Sequence, residues 1–458
     1  MERLVDIRGD PMRSRNQLVI ALAAFALVAA SCGNSDSGST DSAGNSTERA
    51  ENVDNGQVSD ARDDEFVAVD QPGVTDDTIT VSGVASTTNP LGGKYGTIFD
   101  GVQAYFAMVN SEGGIYQREL VLPDDNEHDD QLSMNQQEVQ KIISQDDPFA
   151  VVGVATLLFE GADLLVDENM PTFGWNIQQE WQNGPNLFGE KGSYLAFTRG
   201  GPLQPFLARE LGAHKIGVLA YNVPQSSDCL EGVQNSFETF GADADAEVAF
   251  SDASLAYGTT DLSVQVQQMK DAGVDLVTTC MDTNGVTTLA REMQRQGLDV
   301  PQYLPNGYDF DLVSDFGDLF QGSLVLTQFA PLEFEPQPEG IQQYLDWMDQ
   351  TGGEVGELSL AGWISADQFV TGLRAAGPDF TRQKVIDGLN QLTDYDADGI
   401  LPGTDWTVAH EGDGDQLCYA MSKIDNSEFV PQFTEADKPF ICFDSDATTL
   451  PAEPDHQS

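Results

Sequence analysis

The stretch KIGVLAYNVPQSSDCLEGVQNSFETFGADADAEVAF (215–250) decides the fold, because it predicts a strand, a helix and a second strand in succession. Short apolar runs occupy 215–220 and 246–250, and the segment between them, 228–239, has helical spacing. The alternation continues downstream with helix 260–272, strand 274–279, helix 284–297 and strand 301–305. Strands that alternate with helices of this length predict a parallel sheet covered by helices on both faces.

Two further series flank this stretch and complete an α/β fold. Upstream, the sequence predicts strands 78–85, 119–123, 148–154 and 170–175, and helices 95–109, 131–144, one that ends near residue 168, and 203–211. Downstream, it predicts strand 322–330, helices 339–351, 360–376 and 381–392, and a β-like tail that contains WTVAH, QLCYAMSKI and FVPQF. Because right-handed crossovers join parallel strands, the expected architecture is two doubly wound parallel-sheet lobes.

The order of these elements also predicts the boundaries of the lobes. We expect the first lobe to comprise 73–200 and 306–395, and the second lobe to comprise 201–305 and 396–445. The remaining residues, 446–458, are expected to form a flexible tail.

Composition excludes several classes of partner. The chain has 458 residues, with 75 Asp and Glu against 21 Lys and Arg, so its formal net charge is −54. A nucleic-acid partner requires a basic face, and binding to anionic lipid requires a polybasic patch. Hydrophobic residues make up 40% of the chain, which is too many for a disordered protein. The acidic surface is therefore expected to be heavily solvated and tolerant of salt.

The N-terminal region predicts export and lipid attachment. Leu18 to Ala30 form an apolar run that is too short to cross about 30 Å of hydrocarbon but fits a signal-peptide core. The acidic residues before Met12 favour Met12 as the true start. Ala29-Ala30-Ser31-Cys32 resembles the bacterial lipobox, which implies cleavage before Cys32 and a lipid on that cysteine. Ordinary signal-peptidase cleavage, which leaves a free thiol, is the alternative.

The residues after the cleavage site and the remaining cysteines fit an extracytoplasmic, lipid-anchored protein of a bacterium. Residues 1–31 form the predicted signal peptide, and the acidic, Ser- and Gly-rich segment 32–72 predicts a disordered tether. An even number of further cysteines favours two disulfides outside the cytoplasm. Three pairings are possible, of which we favour Cys229 with Cys280 and Cys418 with Cys442.

One family resemblance runs through most of the chain. The stretch KYGTIFDGVQAYFAMVNSEGGIYQRELVLPDDN (94–126) resembles the solute-binding lipoproteins of branched-chain amino acid ABC transporters, which have the type I periplasmic binding protein fold. Further matching segments are AVVGV (150–154), KIGVLAYN (215–222) and FVTGLRAAGPDFTRQKVIDGLN (369–390). The resemblance implies two lobes joined by three crossovers, which close on a small ligand and dock on a membrane permease.

In the first lobe, the resemblance points to residues after two strands. The loop after strand 148–154 supplies hydroxyls and amides to a ligand carboxylate in the family, which here implies Thr156 and Leu157. The following strand leads to Trp175, Asn176 and Gln178. Helix capping by Thr156 and a core position for Trp175 are the alternatives. Tyr95, at the start of the first helix, is expected at the mouth of the cleft.

In the second lobe, the resemblance points to Tyr221 and the loop that runs to Asp228. The family places an aromatic residue at the position of Gln225, and a glutamate that pairs with the ligand ammonium at the position of Gly285. Asp282 is either the substitute for that glutamate or a cap of helix 284–297. Tyr308 is expected to face the cleft. Because the residues that recognise a zwitterion are altered in both lobes, an aromatic acid, an amide or another small polar solute is as plausible a ligand as Leu, Ile or Val.

Enzymatic motifs and a phosphate-binding loop are missing from the sequence, so we expect no catalytic activity. There is no GxSxG, no HExxH and no GxxxxGK[ST]. Asp394, Asp396, Asp398 and Asp405 occupy positions 1, 3, 5 and 12 of a calcium-loop pattern, which makes calcium a weak candidate beside a plain acidic turn. No other cofactor is expected.

The sequence therefore predicts a solute-binding lipoprotein, expected to be a monomer, that delivers a small polar solute such as an amino acid to the permease of an ABC importer. The alternative is a sensor of the same fold, which presents its ligand state to a signalling partner.

Overall fold

The structure, a computed structural model, describes residues 63–195, 197–410 and 417–457, all within one compact unit. The predicted signal peptide, Cys32 and the tether up to residue 62 lie outside the described residues. The predicted disorder does not extend through 63–72, because this segment packs on the folded body. Arg374 pairs with Asp63 at 3.0 Å, and Arg118 lies 4.5 Å from the Phe66 ring centroid and donates to the Val67 carbonyl.

The first sheet is parallel throughout, and its strand order is β2-β1-β4-β5-β6, with β3 also paired to β1. Its strands are β1 (Thr78–Ala85), β2 (Glu119–Val121), β3 (Glu127–Asp129), β4 (Ala150–Ala155), β5 (Thr172–Gly174) and β6 (Leu187–Gly189). The central strand β4 is buried along its whole length, which explains why its sequence is continuously apolar.

The second sheet combines a parallel half with an antiparallel half. Its strands are β7 (Lys215–Tyr221), β8 (Glu247–Leu255), β9 (Leu276–Cys280), β10 (Gln302–Leu304), β11 (Leu324–Thr327), β12 (Leu417–Asp425), β13 (Glu428–Gln432), β14 (Phe440–Phe443) and β15 (Asp455–Gln457). Their order is β15-β14-β12-β11-β10-β9-β7-β8, with β13 paired to β12. Strands β7 to β11 pair in parallel, whereas β12 to β15 pair antiparallel.

Helices cover both sheets. They are α1 (Thr97–Ser111), α2 (Asn135–Lys141), α3 (Ala162–Asp167), α4 (Leu203–Leu211), α5 (Pro224–Ala244), α6 (Ser263–Ala272), α7 (Thr283–Gln296), α8 (Phe310–Phe316), α9 (Glu339–Thr351), α10 (Glu357–Ala376), α11 (Arg382–Leu389) and α12 (Trp406–Ala409). We call the first sheet with α1–α3 and α9–α11 the first lobe, and the second sheet with α4–α8 the second lobe. Among the described residues, no helix is long and apolar enough to cross a membrane.

The crossing of α1 and α10 shows how the sequence permits close packing in the first lobe. A Cβ on Gly101 would lie 1.8 Å from the Ser359 carbonyl oxygen, and a Cβ on Gly362 would lie 1.9 Å from the Ile98 carbonyl oxygen. Only glycine allows backbones to approach this closely. These contacts fix α10, whose first residue also reaches the cleft described below.

Three expectations about the C-terminal third are wrong. Strand β11 lies between β10 and β12 in the second sheet, so the chain returns to the first lobe after β11 and not at residue 306. WTVAH forms helix α12 and not a strand, because Asp405 caps Thr407 N and Trp406 is buried 5.0 Å from the Phe188 ring. The predicted flexible tail contains β15, which pairs with β14.

Both favoured disulfide pairings are confirmed. Cys229 of α5 bonds to Cys280 at the end of β9, and Cys418 of β12 bonds to its direct register partner Cys442 of β14. The first disulfide holds α5 against the strand whose carboxyl end faces the other lobe.

Candidate functional site

A cavity of about 290 Å³ lies between the carboxyl ends of the parallel strands of the two lobes. In open parallel sheets, ligands bind at this edge. The first lobe contributes the loop before α1, the ends of β4 and β5, and the segment 354–358 at the start of α10. The second lobe contributes the ends of β7, β9 and β10 and the start of α5.

Six of the ten predicted ligand-binding residues line this cavity: Tyr95, Leu157, Trp175, Tyr221, Asp282 and Tyr308. Two pairs of aromatic rings stand out among the lining residues. Tyr95 and Trp175 of the first lobe have ring centroids 5.8 Å apart, and Tyr221 and Tyr257 of the second lobe have ring centroids 4.9 Å apart. The cavity therefore has an aromatic wall on each side.

Thr156 does not line the cavity, because an internal carboxylate engages its hydroxyl. Its Oγ1 donates to Oδ2 of the fully buried Asp130. Oδ1 of Asp130 accepts a hydrogen bond of 2.8 Å from the Ser86 hydroxyl, which in turn accepts from Leu157 N at 3.1 Å. The Asn135 side-chain amide donates to Oδ2 at 3.3 Å. The polar groups at the ends of β1 and β4 thus form a closed buried network.

Asn176, Gln178 and Asp228 are also absent from the cavity lining. The Asn176 amide donates to the Gly192 carbonyl at 3.0 Å, and the Gln178 amide donates to the Thr156 carbonyl. Asp228 lies on α5, where burial raises the pKa of its carboxyl. Asn176 and Gln178 therefore support the strand ends, and none of the three residues lines the cavity.

Asp282 combines the two roles that the sequence left open. Its Oδ1 accepts from Asn284 N at 2.8 Å and from Gly285 N at 3.0 Å, which caps α7. Its buried Oδ2 has no hydrogen-bond partner in the part of the chain that the structure describes, and it belongs to a residue of the cavity wall. One oxygen is therefore structural, and the other remains available.

Tyr221 explains why a glutamate cannot stand at position 285. A Cβ on Gly285 would lie 2.1 Å from the Tyr221 phenol oxygen. This hydroxyl has no hydrogen-bond partner among the described residues, and the residue is 2% exposed. Burial first, and then the interaction of its hydroxyl with the Asp282 side chain, raise the pKa of the Tyr221 phenol.

The ionisable groups of the cavity wall are mostly acidic. Among its described residues, five are acidic and one, Lys94, is basic; the acidic residues are Asp282, Asp309, Asp311, Glu354 and Glu357. Glu357 is half-buried, and its pKa is raised from 4.5 to about 8. Burial is the main cause, and the negative charges of Glu190 and Asp309 raise the pKa further. With this pKa, Glu357 is largely uncharged near neutral pH, so it is the four other acidic residues that favour a ligand with positive charge or hydrogen-bond donors.

Contacts between the lobes lie at the mouth of the cavity. Lys94 of the first lobe pairs with Asp311 of the second lobe at 2.5 Å and also with Glu354. Gln225 donates to the Leu157 carbonyl at 3.2 Å, and Asn284 donates to the Pro90 carbonyl at 3.4 Å. The structure thus shows the lobes in contact around a partly open cavity.

Sequence reasoning missed Tyr257 and Glu357. Strand β8 extends to Leu255, beyond its expected end at residue 250, so the loop that carries Tyr257 was not recognised as a strand end. Glu357 opens α10, which is remote in the chain from the other lining segments. Neither residue belongs to a motif.

The predicted calcium loop does not assemble. The described residues contain no group of three or more His, Cys, Asp or Glu side chains able to hold a metal ion. Asp405 accepts from Thr407 N at 3.0 Å and caps α12. Asp396 is largely buried, which raises the pKa of its carboxyl, and the charges of Asp398 and Asp394 raise it further. Asp394, Asp396 and Asp398 therefore form an acidic turn.

Comparison with known proteins places this architecture in a family. A model described as "Periplasmic binding protein" matches residues 79–427, which is most of the chain. The chain therefore belongs to the periplasmic binding protein family, whose members are extracytoplasmic proteins that bind small solutes and deliver them to ABC transporter permeases. Its homologues are substrate-binding proteins and not enzymes. A search of curated proteins found no sequence match.

Solved structures confirm the type I periplasmic binding fold. A branched-chain amino acid ABC transporter protein from Thermus thermophilus with bound valine has a TM-score of 0.66 and 17% identity, and covers 81% of this chain and 97% of its own. A fatty acid ABC transporter substrate-binding protein from Thermomonospora curvata has a TM-score of 0.65 and 17% identity, with coverages of 82% and 95%. A solute-binding protein from R. palustris in complex with 4-hydroxybenzoate has a TM-score of 0.62 and 16% identity, with coverages of 78% and 96%. At these identities the likeness shows the fold alone.

Proposed function

We propose that this chain captures a small polar solute by closure of its two lobes and presents it to the permease of an ABC importer. The observation that carries the proposal is the cavity of about 290 Å³ between the carboxyl ends of parallel strands in both sheets. Its size lies near the lower end of small-molecule pockets, about 300–1,000 Å³. The contacts of Lys94, Gln225 and Asn284 across the mouth support a mechanism in which lobe closure encloses the solute.

The solved structures of the same fold hold chemically different solutes. The T. thermophilus structure holds valine and the R. palustris structure holds 4-hydroxybenzoate. In a two-lobed receptor the fold supplies the cleft, and the side chains at the strand ends select the solute. We therefore expect the specificity of this chain to depend on Trp175, Tyr221 and Asp282, which stand at strand ends in its own cavity.

We also propose that a lipid on Cys32 anchors the receptor beside its permease. The lipobox-like sequence Ala29-Ala30-Ser31-Cys32 supports this, and the segment up to residue 62 gives the domain reach from the membrane. Metabolic labelling with radioactive palmitate tests the anchor. We expect label and membrane retention in the full chain, both lost in Cys32→Ala and both kept in the matched control Ser35→Ala. Membrane retention of unlabelled Cys32→Ala would contradict it.

Uptake measurements distinguish a transport receptor from a sensor. Radiolabelled leucine, benzoate and choline are offered to cells with and without the gene, and the purified chain is titrated with the same three compounds. Transport predicts that deletion abolishes high-affinity uptake of each compound that the chain binds. Unchanged uptake of a compound that the purified chain binds would contradict transport and favour the sensor.

A further inference from the structure

In the first lobe, the hydrogen-bond donors at the strand ends already bind the side chain of Asp130. Asp130 is fully buried, and hydrogen bonds reach its two oxygens from the hydroxyls of Ser86 and Thr156, from Leu132 N at 3.0 Å and from the Asn135 amide. A carboxylate offers about four acceptor positions, so these donors satisfy it. The hydroxyl and amide groups beside β1 and β4 are therefore committed to a carboxylate of the protein itself.

The cavity wall offers little else to an anionic ligand. Its basic residue, Lys94, is placed at the mouth between Asp311 and Glu354, and hydrogen bonds to these two carboxylates raise the pKa of its ammonium. Asp282 and Asp309 also line the cavity. A ligand carboxylate would add a further negative charge beside these side chains, and such like-charge contacts are unfavourable.

The same wall is well suited to a cation. Aromatic faces attract an ammonium group that lies within about 6 Å of the ring centroid. The pair Tyr95–Trp175 and the pair Tyr221–Tyr257 bound the cavity from the two lobes. Burial is the main cause of the raised pKa of the Tyr95 and Tyr257 phenols, and the charge of Asp282 is the second cause. The Asp282 carboxylate therefore lies near a ring of each pair.

Two polar atoms of the wall lack a partner. Oδ2 of Asp282 and the hydroxyl of Tyr221 are buried and have no hydrogen-bond partner in the described part of the chain. Buried polar atoms of this kind cost free energy unless they are hydrogen-bonded. A ligand that donates a hydrogen bond and carries positive charge would satisfy the free oxygen of Asp282, next to which the Tyr221 hydroxyl lies.

From these observations we infer that the solute of this cavity is an organic ammonium ion without a carboxylate group, held between the two aromatic pairs with its charge directed at Asp282. The inference rests on the proposed function, because it names the class of solute that the same cavity captures. The inference excludes amino acids and aromatic acids, because their carboxylate would need the hydrogen-bond donors that already bind Asp130.

Calorimetric titration of the full chain with three matched compounds tests the inference. 3-Methylbutylamine is leucine without its carboxylate, and 4-methylpentanoate is leucine without its amine. We expect 3-methylbutylamine to bind at least tenfold more tightly than leucine, and 4-methylpentanoate to give no binding heat. Equal or tighter binding of leucine or 4-methylpentanoate would overturn the inference and leave the solute-receptor function intact. Absence of binding by all three would overturn it and would also count against solute capture.

Two variants with matched controls test the assigned roles. Asp282→Asn keeps an N-cap acceptor but removes the charge, and should weaken 3-methylbutylamine binding about tenfold. The control Asp405→Asn makes the same change at the cap of α12, outside the cavity, and should leave the affinity unchanged. Trp175→Leu should also weaken binding, whereas Trp347→Leu on α9 should not. Unchanged affinity in Asp282→Asn and in Trp175→Leu would contradict the assignment.

Discussion

At the carboxyl ends of β1 and β4, the polar groups of the first lobe are bound to one another through Asp130. At the carboxyl ends of β7 and β9, the second lobe leaves the Tyr221 hydroxyl and one oxygen of Asp282 without partners among the described residues. Both sets stand at corresponding places, at the carboxyl ends of parallel strands. The difference shows that a polar side chain at a strand end is available to a ligand only when no other residue of the chain forms a hydrogen bond with it.

The largest effect is expected where the satisfied network is broken. Asp130→Ala should lower the free energy of unfolding by about 3–5 kcal/mol, because several buried donors, including Ser86 and Thr156, lose their acceptor. Urea unfolding measures this loss. The control Asp163→Ala removes an exposed carboxylate that accepts from Asn183, and should change stability by less than about 1 kcal/mol. Equal effects of both substitutions would show that the network contributes little.

The close contact between Tyr221 and Gly285 predicts a smaller loss on the other lobe. Alanine normally stabilises a helix relative to glycine, but Gly285→Ala should destabilise by about 1–3 kcal/mol because its Cβ would overlap the Tyr221 hydroxyl. A double-mutant cycle with Tyr221→Phe measures the coupling by chemical denaturation. We expect Gly285→Ala to cost at least about 1 kcal/mol less when it is combined with Tyr221→Phe. Additive effects would argue against the contact.

Glu357 in the cavity wall predicts a pH dependence of stability. Since the pKa of Glu357 rises from 4.5 to about 8 on folding, the folded state retains a proton that the unfolded chain releases between these values. This group therefore contributes a loss of stability as the pH rises from 4.5 to about 8. The difference in Tm between Glu357→Gln and the wild type should increase across that window. A difference that is constant with pH, as expected for the exposed control Glu339→Gln, would contradict a raised pKa.

The smallest effect is expected at the mouth. The side chains of Lys94 and Glu354 are about half exposed and that of Asp311 is 67% exposed, so Lys94→Ala should cost less than about 1 kcal/mol. Because salt screens exposed ion pairs, this cost should nearly vanish at about 1 M salt, whereas the cost of Asp130→Ala should persist. Unfolding curves at low and high salt check both. A Lys94→Ala effect that persists at high salt would show that the contact is not simply electrostatic.

Much of the fold could be predicted because its signals are local. The bounds of β1, α4 and α9 agree with those expected from the apolar runs and periodicity alone. Three-residue strands such as β6 carry too few residues for a periodic signal. The membership of β11 in the second sheet depends on its neighbours β10 and β12, which lie apart in the chain, so no local pattern revealed it.

The site residues also differ in whether a local sequence signal was enough to predict them. Trp175, Tyr221 and Asp282 were predictable because each follows a strand whose end must face the other lobe. The position of Thr156 was equally predictable, but its role was not, because its partner Asp130 comes from a different loop. The side-chain hydroxyl that suggested a ligand contact is used within the protein.

The most direct test of the account compares choline with glycine betaine by calorimetric titration of the full chain. The two compounds share a trimethylammonium group, and the second carries a carboxylate where the first carries an alcohol. The account predicts that choline binds at least tenfold more tightly, because the aromatic walls accept the cation and the Asp130 network leaves no site for the carboxylate. Glycine betaine binding as tightly as choline, or more tightly, would contradict it.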